Sequence, residues 1–209
     1  MTYRVARLVL VLLTRFPWRL QVTGIERLPS GPFVLVANHE SLLDGFVVGA
    51  AVPRRIRFLA KDDLWQARPL GALLSALGGI PLGRGRGDRG AMRAAEAALR
   101  AGEIVGVFPQ GTVLGGDARA WHRGAARLAL VTGVPIVPVC IVDAERALRP
   151  VRRRLGFPVI RLIVGDPIHV DAGEPTIVAA RELTRRARQE VEALQTEFGQ
   201  AFPAPAARP

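Results

Sequence analysis

The sequence predicts an α/β domain, a single unit with a mostly parallel mixed sheet flanked by helices and preceded by an N-terminal amphipathic helix. Three observations predict it. Apolar runs of strand length recur along the chain, and segments with helical spacing separate them. The 209 residues show no internal repeat and no convincing linker, which fits one domain. Hydrophobic residues make up 49% of the chain, enough for a sizeable core and too many for a disordered one.

The first element is a basic helix. Leu8 to Leu13 is an unbroken apolar run flanked by Arg7 and Arg15. It falls far short of the ~20 residues of a membrane-spanning helix. It is also short for a signal-peptide core, and no small-residue cleavage site follows. On a helical wheel Arg4, Arg7 and Arg15 share one arc, Leu8, Leu10, Leu12 and Leu13 lie mostly outside it, and Val11 falls among the arginines. Pro17 and Trp18 end the pattern. This composition resembles an interfacial membrane helix over residues 1–19. Packing of the helix on the core is the plainer alternative.

Residues 20–201 carry the domain proper. "FVLVAN", from Phe33 to Asn38, reads as a buried strand, and a helix follows from near Ser41 through "LLDGFVVGAAV". "RIRFLA" is a strand ended by Lys61. A helix runs through "LWQARPLGALLSAL", with Pro69 as a kink or break. "GGIPLGR" supplies a short strand, and "RGAMRAAEAALRAG" a helix closed by Gly102. "IVGVF", "PIVPVCIV" and "FPVIRLIVG" are strands, with the helix "GAARLALVTG" between the first two. Ile177, Ala180, Leu183, Ala187, Val191, Leu194 and Phe198 recur at helical spacing in a long last helix opened by Pro175. The tail 202–209, "FPAPAARP" in full, reads as disordered.

Charge narrows the function. The net charge is +11 with a pI near 11.5, and all basic residues but Lys61 are arginines. An anionic partner is implied: nucleic acid, a lipid surface or a phosphorylated ligand. Against nucleic acid, the only tyrosine is Tyr3, and aromatics do not interleave with the arginines as stacking platforms would. Cys140 is alone, which excludes an intramolecular disulfide or a cysteine metal cluster. No histidine–acid set has metal-ligand spacing. "GRGDRG", from Gly85 to Gly90, matches a dinucleotide loop between strand and helix, but Glu103 precedes the next strand instead of ending it, so no acid is placed for a ribose.

The chemistry gathers in "ANHESLLDG", from Ala37 to Gly45. Within a helix, residues five apart diverge by about 140°. A sharp strand-to-helix turn instead brings His39 and Asp44 together. A carboxylate on one imidazole nitrogen leaves the other to take a proton. Ser41-Leu-Leu-Asp44 is also a capping-box pattern, in which Asp44 would only satisfy a backbone N–H and Ser41 would cap the helix. The turn lies at the carboxyl end of a strand, where open α/β sheets collect ligands.

"NHESLLD" resembles the His-x4-Asp signature of the glycerolipid acyltransferases, the family containing lysophosphatidic acid acyltransferase. Three further blocks follow in that family's order. "GGIPLGR" looks like its second block, which ends in a phosphate-binding arginine. "VFPQGT", Val107 to Thr112, is similar to its third, usually Phe-Pro-Glu-Gly-Thr-Arg. "GVPIVPV", Gly133 to Val139, looks like its proline-bearing fourth. The resemblance spans about residues 20–170. Gln110 stands in place of the usual glutamate and Val113 in place of the usual arginine.

The resemblance implies transfer of a fatty acyl group from acyl-CoA or acyl carrier protein to the free hydroxyl of lysophosphatidic acid. No cofactor is expected; the basic leucine-rich helix and the net charge add the expectation of peripheral attachment to anionic lipid on the cytoplasmic face of the cell membrane, and the aromatic pattern that of no nucleic-acid partner. The resemblance makes His39 the general base and Asp44 its orienting acid. It gives Arg84, Pro109, Gln110, Gly111 and Thr112 to substrate binding, with Arg86 or Arg123 as helpers of Arg84. Oxyanion donors are expected from backbone N–H groups near Gly111 and Thr112 or in the turn His39–Ser41. His122 precedes a helix, and either a place near the acceptor or a structural role suits it. His169 is expected in a surface turn. The competing reading is a same-fold acyltransferase that uses a different lyso-lipid or a non-phosphate hydroxyl acceptor, and a non-catalytic membrane adaptor or a basic nucleic-acid-binding protein ranks below it.

Overall fold

A computed structural model describes residues 3–15, 18–83, 88–111, 121–148 and 158–201. The helices are α1 (Tyr3–Arg15), α2 (Asp44–Ala51), α3 (Arg68–Leu77), α4 (Arg89–Arg100), α5 (Gly124–Thr132), α6 (Ala144–Leu148) and α7 (Ile177–Ala201). The strands are β1 (Gln21–Thr23), β2 (Val34–Ala37), β3 (Ile56–Lys61), β4 (Ile80–Leu82), β5 (Ile104–Val107), β6 (Ile136–Val142) and β7 (Arg161–Val164). Among the described residues they form one seven-stranded sheet in the order β1-β7-β6-β2-β5-β3-β4. The ladder is parallel from β6 through β4, β6 meets β7 antiparallel, and β1 is parallel to β7.

The strand runs are apolar because both faces of the sheet are covered. Every residue of β2 and β5 is buried. Side chains alternate across the sheet, so β2 feeds two cores. Val34 and Val36 join Val105, Ile136, Ala95, Leu99, Ala126 and Leu183, under α4, α5 and α7. Leu35 and Ala37 join Val47, Val48, Val137, Val139 and Leu162, under α2.

Two boundaries differ from the sequence pattern. Pro69 does not kink a long helix. Residues Asp62–Trp65 form a 3-10 turn, and α3 starts at Arg68 with Pro69 in its first turn, where the missing N–H costs no hydrogen bond. The helix after β2 starts at Asp44, later than Ser41, because Ser41 and Asp44 are engaged in the turn before it.

The helix α1 packs against α2. Ala6 and Leu10 are buried, and a Cβ on Gly49 would come within 3.1 Å of Leu10, so the helices meet closely there. Arg7 does not share a solvent arc with Arg4. Its guanidinium donates to the carbonyl oxygen of Val52 at the end of α2, 3.3 Å away. Val5, Leu8, Val9 and Leu12 are exposed instead, so the helix carries apolar residues on its outer side as well as its inner one. No helix of the described residues is long and apolar enough to cross a membrane.

Candidate active site

The parallel strands β2, β3 and β5 end at one edge of the sheet, and the turn after β2 lies there. Asn38 shapes that turn. Its side chain copies one more step of a β ladder onto β6: its Nδ2 donates to the Ile141 carbonyl (2.8 Å), and its Oδ1 accepts the Ile141 N–H (2.7 Å). A buried amide satisfied at both ends fixes the chain just before His39.

The chain then reverses, and Asp44 reaches back into the turn. Its Oδ2 accepts from the N–H groups of Glu40 (2.8 Å) and Ser41 (2.8 Å) and lies 2.9 Å from His39 Nδ1. The capping contact and the base–orienter contact are thus made by one oxygen. Asp44 is 1% exposed, and its Oδ1 is buried without a hydrogen-bond partner. Facing a buried carboxylate, Nδ1 carries the hydrogen, and the lone pair falls on Nε2. Nε2 has no protein hydrogen bond among the described residues, and the His39 side chain remains 16% exposed.

The imidazole is also held by its face. Phe108, just past β5, stacks on His39 with ring centroids 4.2 Å apart and planes 19° from parallel. Phe58 of β3 stacks on Phe108 at 5.6 Å. Gly106 makes room for Phe58: a Cβ there would sit 2.3 Å from the Phe58 ring. Neither Asn38 nor the phenylalanine stack was foreseen. A polar residue ending a buried strand was the available signal for Asn38.

The third block lies beside the histidine. Gln110 accepts the His39 backbone N–H through Oε1. Pro109 is buried, and its carbonyl accepts the His122 N–H (2.9 Å). Gly111 turns at φ 70°, and a Cβ on it would come within 3.2 Å of the His122 ring. The structure therefore brings His39, Asp44, Pro109, Gln110, Gly111 and His122 together. Lys61 ends β3 at the same edge and is exposed. Arg84, Arg86, Thr112 and Val113 lie outside the described residues. Asp88 holds one end of that gap, accepting from Gly83 (2.7 Å) and from Gly90 (2.9 Å) and Ala91 (3.0 Å) at the start of α4. The exposed His169 follows Ile168, which bridges to Ile136 at the opposite end of β6.

Among the described residues the expected oxyanion donors are occupied, and the Thr112 N–H lies outside those residues. The His39 N–H is bound to Gln110, those of Glu40 and Ser41 to Asp44, and that of Gly111 to Phe108 O (3.1 Å). A rival nucleophile is equally hard to find. Ser41 is buried and its Oγ accepts the Leu43 N–H (3.2 Å). Cys140 is buried in β6, and burial, with Glu40 adding to it, pushes its thiol up to about 12. Among the described residues no group of three or more metal-ligating side chains comes together. What remains is an imidazole with one nitrogen held by a buried carboxylate and the other open at the strand ends, an arrangement able to take a proton from a substrate hydroxyl.

The family described as Acyltransferase matches residues 19–142. A 1-acyl-sn-glycerol-3-phosphate acyltransferase of Bacillus subtilis is 26% identical over 184 residues, covering 86% of this chain and 90% of that protein. The lyso-ornithine lipid O-acyltransferase of Pseudomonas aeruginosa is 31% identical over 204 residues, covering 90% of this chain and 75% of that protein. The crystal structure of a 1-acyl-sn-glycerophosphate acyltransferase from Thermotoga maritima superposes with a TM-score of 0.64 at 28% identity, covering 84% of this chain and 72% of that one. With more than half of its length matched by the family, this chain belongs to the acyltransferase family and is an O-acyltransferase.

Proposed function

We propose that the protein moves a fatty acyl group from a thioester of coenzyme A or acyl carrier protein to the free hydroxyl of lysophosphatidic acid, with His39 as general base. The carrying observation is the His39–Asp44 pair, closed on Nδ1 and open on Nε2. An alcohol is a poor nucleophile near neutral pH, so attack on a thioester needs its proton removed in the transition state. Nε2 takes that proton as the oxygen bonds to the carbonyl carbon. The tetrahedral intermediate collapses, the C–S bond breaks, and the proton passes from the imidazolium to the leaving thiolate. Asp44 stabilises the imidazolium between the two transfers. Asn38, Phe108 and Gln110 position the base. No acyl-enzyme is needed, in keeping with the buried Ser41 and Cys140.

The reaction takes place at a lipid surface in this reading. The exposed Val5, Leu8, Val9 and Leu12 enter the interface, and the +11 chain meets anionic headgroups on the cytoplasmic side. Arg84 grips the acceptor phosphate, where a guanidinium fork suits the oxygens.

A second acceptor is favoured by one observation. The lyso-ornithine lipid O-acyltransferase matches 90% of this chain, and Val113 stands in place of the third-block arginine. The test is a labelled acyl-donor assay against lysophosphatidic acid, lyso-ornithine lipid and monoacylglycerol, with the product identified by mass. The proposal expects phosphatidic acid from the wild type and none above background from folded His39→Ala. Preference for lyso-ornithine lipid establishes the second reading. Near-normal turnover by folded His39→Ala overturns the mechanism.

A further inference from the structure

We infer that the outward face of α4 and α5 is a docking surface for an acidic acyl carrier protein, which makes that carrier, in place of free coenzyme A, the donor this protein is built to receive. The inference rests on the proposed transfer from a thioester, and it names the partner that brings the thioester.

Two pairs of arginines make the face. Arg89 and Arg93 stand four apart on α4, and Arg123 and Arg127 stand four apart at the start of α5, so each pair lines one side of its helix. All four are exposed, and none has an ion pair among the described residues. The helices are neighbours: a Cβ on Gly124 would lie 3.8 Å from the Met92 sulfur. On these helices no acid balances the charge. The helix α5 has none, and the one acid of α4, Glu96, is bonded to Arg100 (2.7 Å).

The position of the face points to the donor. The helix α4 follows β4, and α5 follows the turn after β5, so both begin at the sheet edge that carries His39. Arg123 comes next after His122, whose N–H is bonded to the Pro109 carbonyl. Arg93 Nε donates to the Arg89 carbonyl oxygen (3.2 Å), which draws its guanidinium back toward the same edge. A carrier seated there presents its thioester arm across the edge to the base. The spacing suits a protein. Packed helix axes lie roughly 8–10 Å apart, and four residues along a helix rise about 6 Å. The guanidiniums are therefore spread, whereas a single phosphate is held by donors that converge on it. Spread cations match a row of carboxylates on a partner's surface. The lipid surface is matched elsewhere. The helix α1, with its exposed Val5, Leu8, Val9 and Leu12, lies over α2 on the Leu35 side of the sheet, while α4 and α5 cover the Val34 side and expose no large apolar side chain.

The test is Arg93→Glu with Arg127→Glu, set against Arg181→Glu with Arg186→Glu on α7, which changes the net charge equally. All four side chains are exposed, and thermal unfolding checks the fold. Steady-state transfer to lysophosphatidic acid is measured with one fatty acyl chain carried either by CoA or by a bacterial acyl carrier protein. Binding of fluorescent holo-acyl carrier protein, followed by anisotropy, needs no acceptor. The expected result for the α4–α5 pair is at least a tenfold rise in KM for the acylated carrier and a matching loss of binding, with kcat unchanged and KM for acyl-CoA within twofold. The α7 pair leaves all of these in place, and wild-type binding weakens as salt rises. An unchanged KM for the carrier overturns the inference. So does an equal rise for acyl-CoA, which would put the arginines on phosphates common to both donors, or an equal effect of the α7 pair, which would reduce the face to net charge. Sedimentation with anionic liposomes that falls while the carrier KM holds would make the face a lipid contact. A wild type that uses acyl-CoA alone and binds no carrier overturns the inference and leaves the proposed transfer standing. One that binds the carrier through these arginines yet transfers nothing to lysophosphatidic acid refutes the proposed acceptor and leaves the surface standing.

Discussion

Asp44→Asn separates the two duties that one oxygen performs. The Glu40 and Ser41 N–H groups require an oxygen at the Oδ2 place, so the asparagine amide keeps its oxygen there and its nitrogen replaces Oδ1. His39 Nδ1 still faces an oxygen 2.9 Å away, and the tautomer survives. What disappears is the negative charge opposite the imidazolium. Two unit charges about 4 Å apart at an effective dielectric of about 20 interact by about 4 kcal/mol. At about 1.4 kcal/mol per tenfold, the expected loss in kcat is roughly 10³. Stability changes for another reason: the new NH₂ occupies the buried position where Oδ1 has no partner, costing about 1–3 kcal/mol. For a domain of this size that is roughly 2–4 °C in Tm per kcal/mol, and the protein stays folded at 25 °C. Saturating acyl transfer by Asp44→Asn, with circular dichroism and Tm on the same preparation, gives both numbers. If kcat stays within threefold of wild type while Tm falls, Asp44 is a cap and the charge has no part in the chemistry.

Three further outcomes are expected. Gly106→Val puts a Cβ within 2.3 Å of the Phe58 ring and must displace the stack beneath His39; kcat should fall at least tenfold and stability by about 1–3 kcal/mol, and a normal kcat would show that the stack does not position the base. Leu8→Glu with Leu12→Glu alters two side chains 59% and 56% exposed, so Tm should hold while sedimentation with anionic liposomes falls at least tenfold; unchanged sedimentation would move the membrane face elsewhere. The N–H groups of Ala91, Gly83 and Gly90 hold Asp88 below its ordinary value of 3.8, so its contribution is complete above that pH and is lost as pH falls through the lowered value; the Tm difference between wild type and Asp88→Asn should shrink below about pH 4, and a difference undiminished at pH 2 would refute this assignment.

The sheet was legible where physics is local. The strands β2, β5 and β6 are covered on both faces, so they show as unbroken apolar runs. The strand β1 left no signal: its residues Gln21–Thr23 are all exposed, and pairing with β7 alone defines them. The helix α6 is five residues long, too short for any periodicity. Of the site, His39 and Asp44 were readable because five positions and a turn connect them. The Gln110 contact closes a separation of 71 residues and the Asn38 pair one of 103. No spacing rule reaches so far. Those contacts are products of strand order, and so is the meeting of Phe58, Phe108 and His39.

The span of the Asn38 pair has a consequence for the protein's birth. Ile141 leaves the ribosome 103 residues after the asparagine it must meet, and a nascent chain exposes its residues in order. Until β6 emerges, Asn38 has neither donor nor acceptor across from it on that strand, and the turn bearing His39 lacks its tether. The histidine is translated early and completed late. A chain interrupted before residue 141 therefore carries every atom of the His39–Asp44 pair but not the Ile141 backbone that tethers the turn, which leaves abortive translation products with an unanchored site.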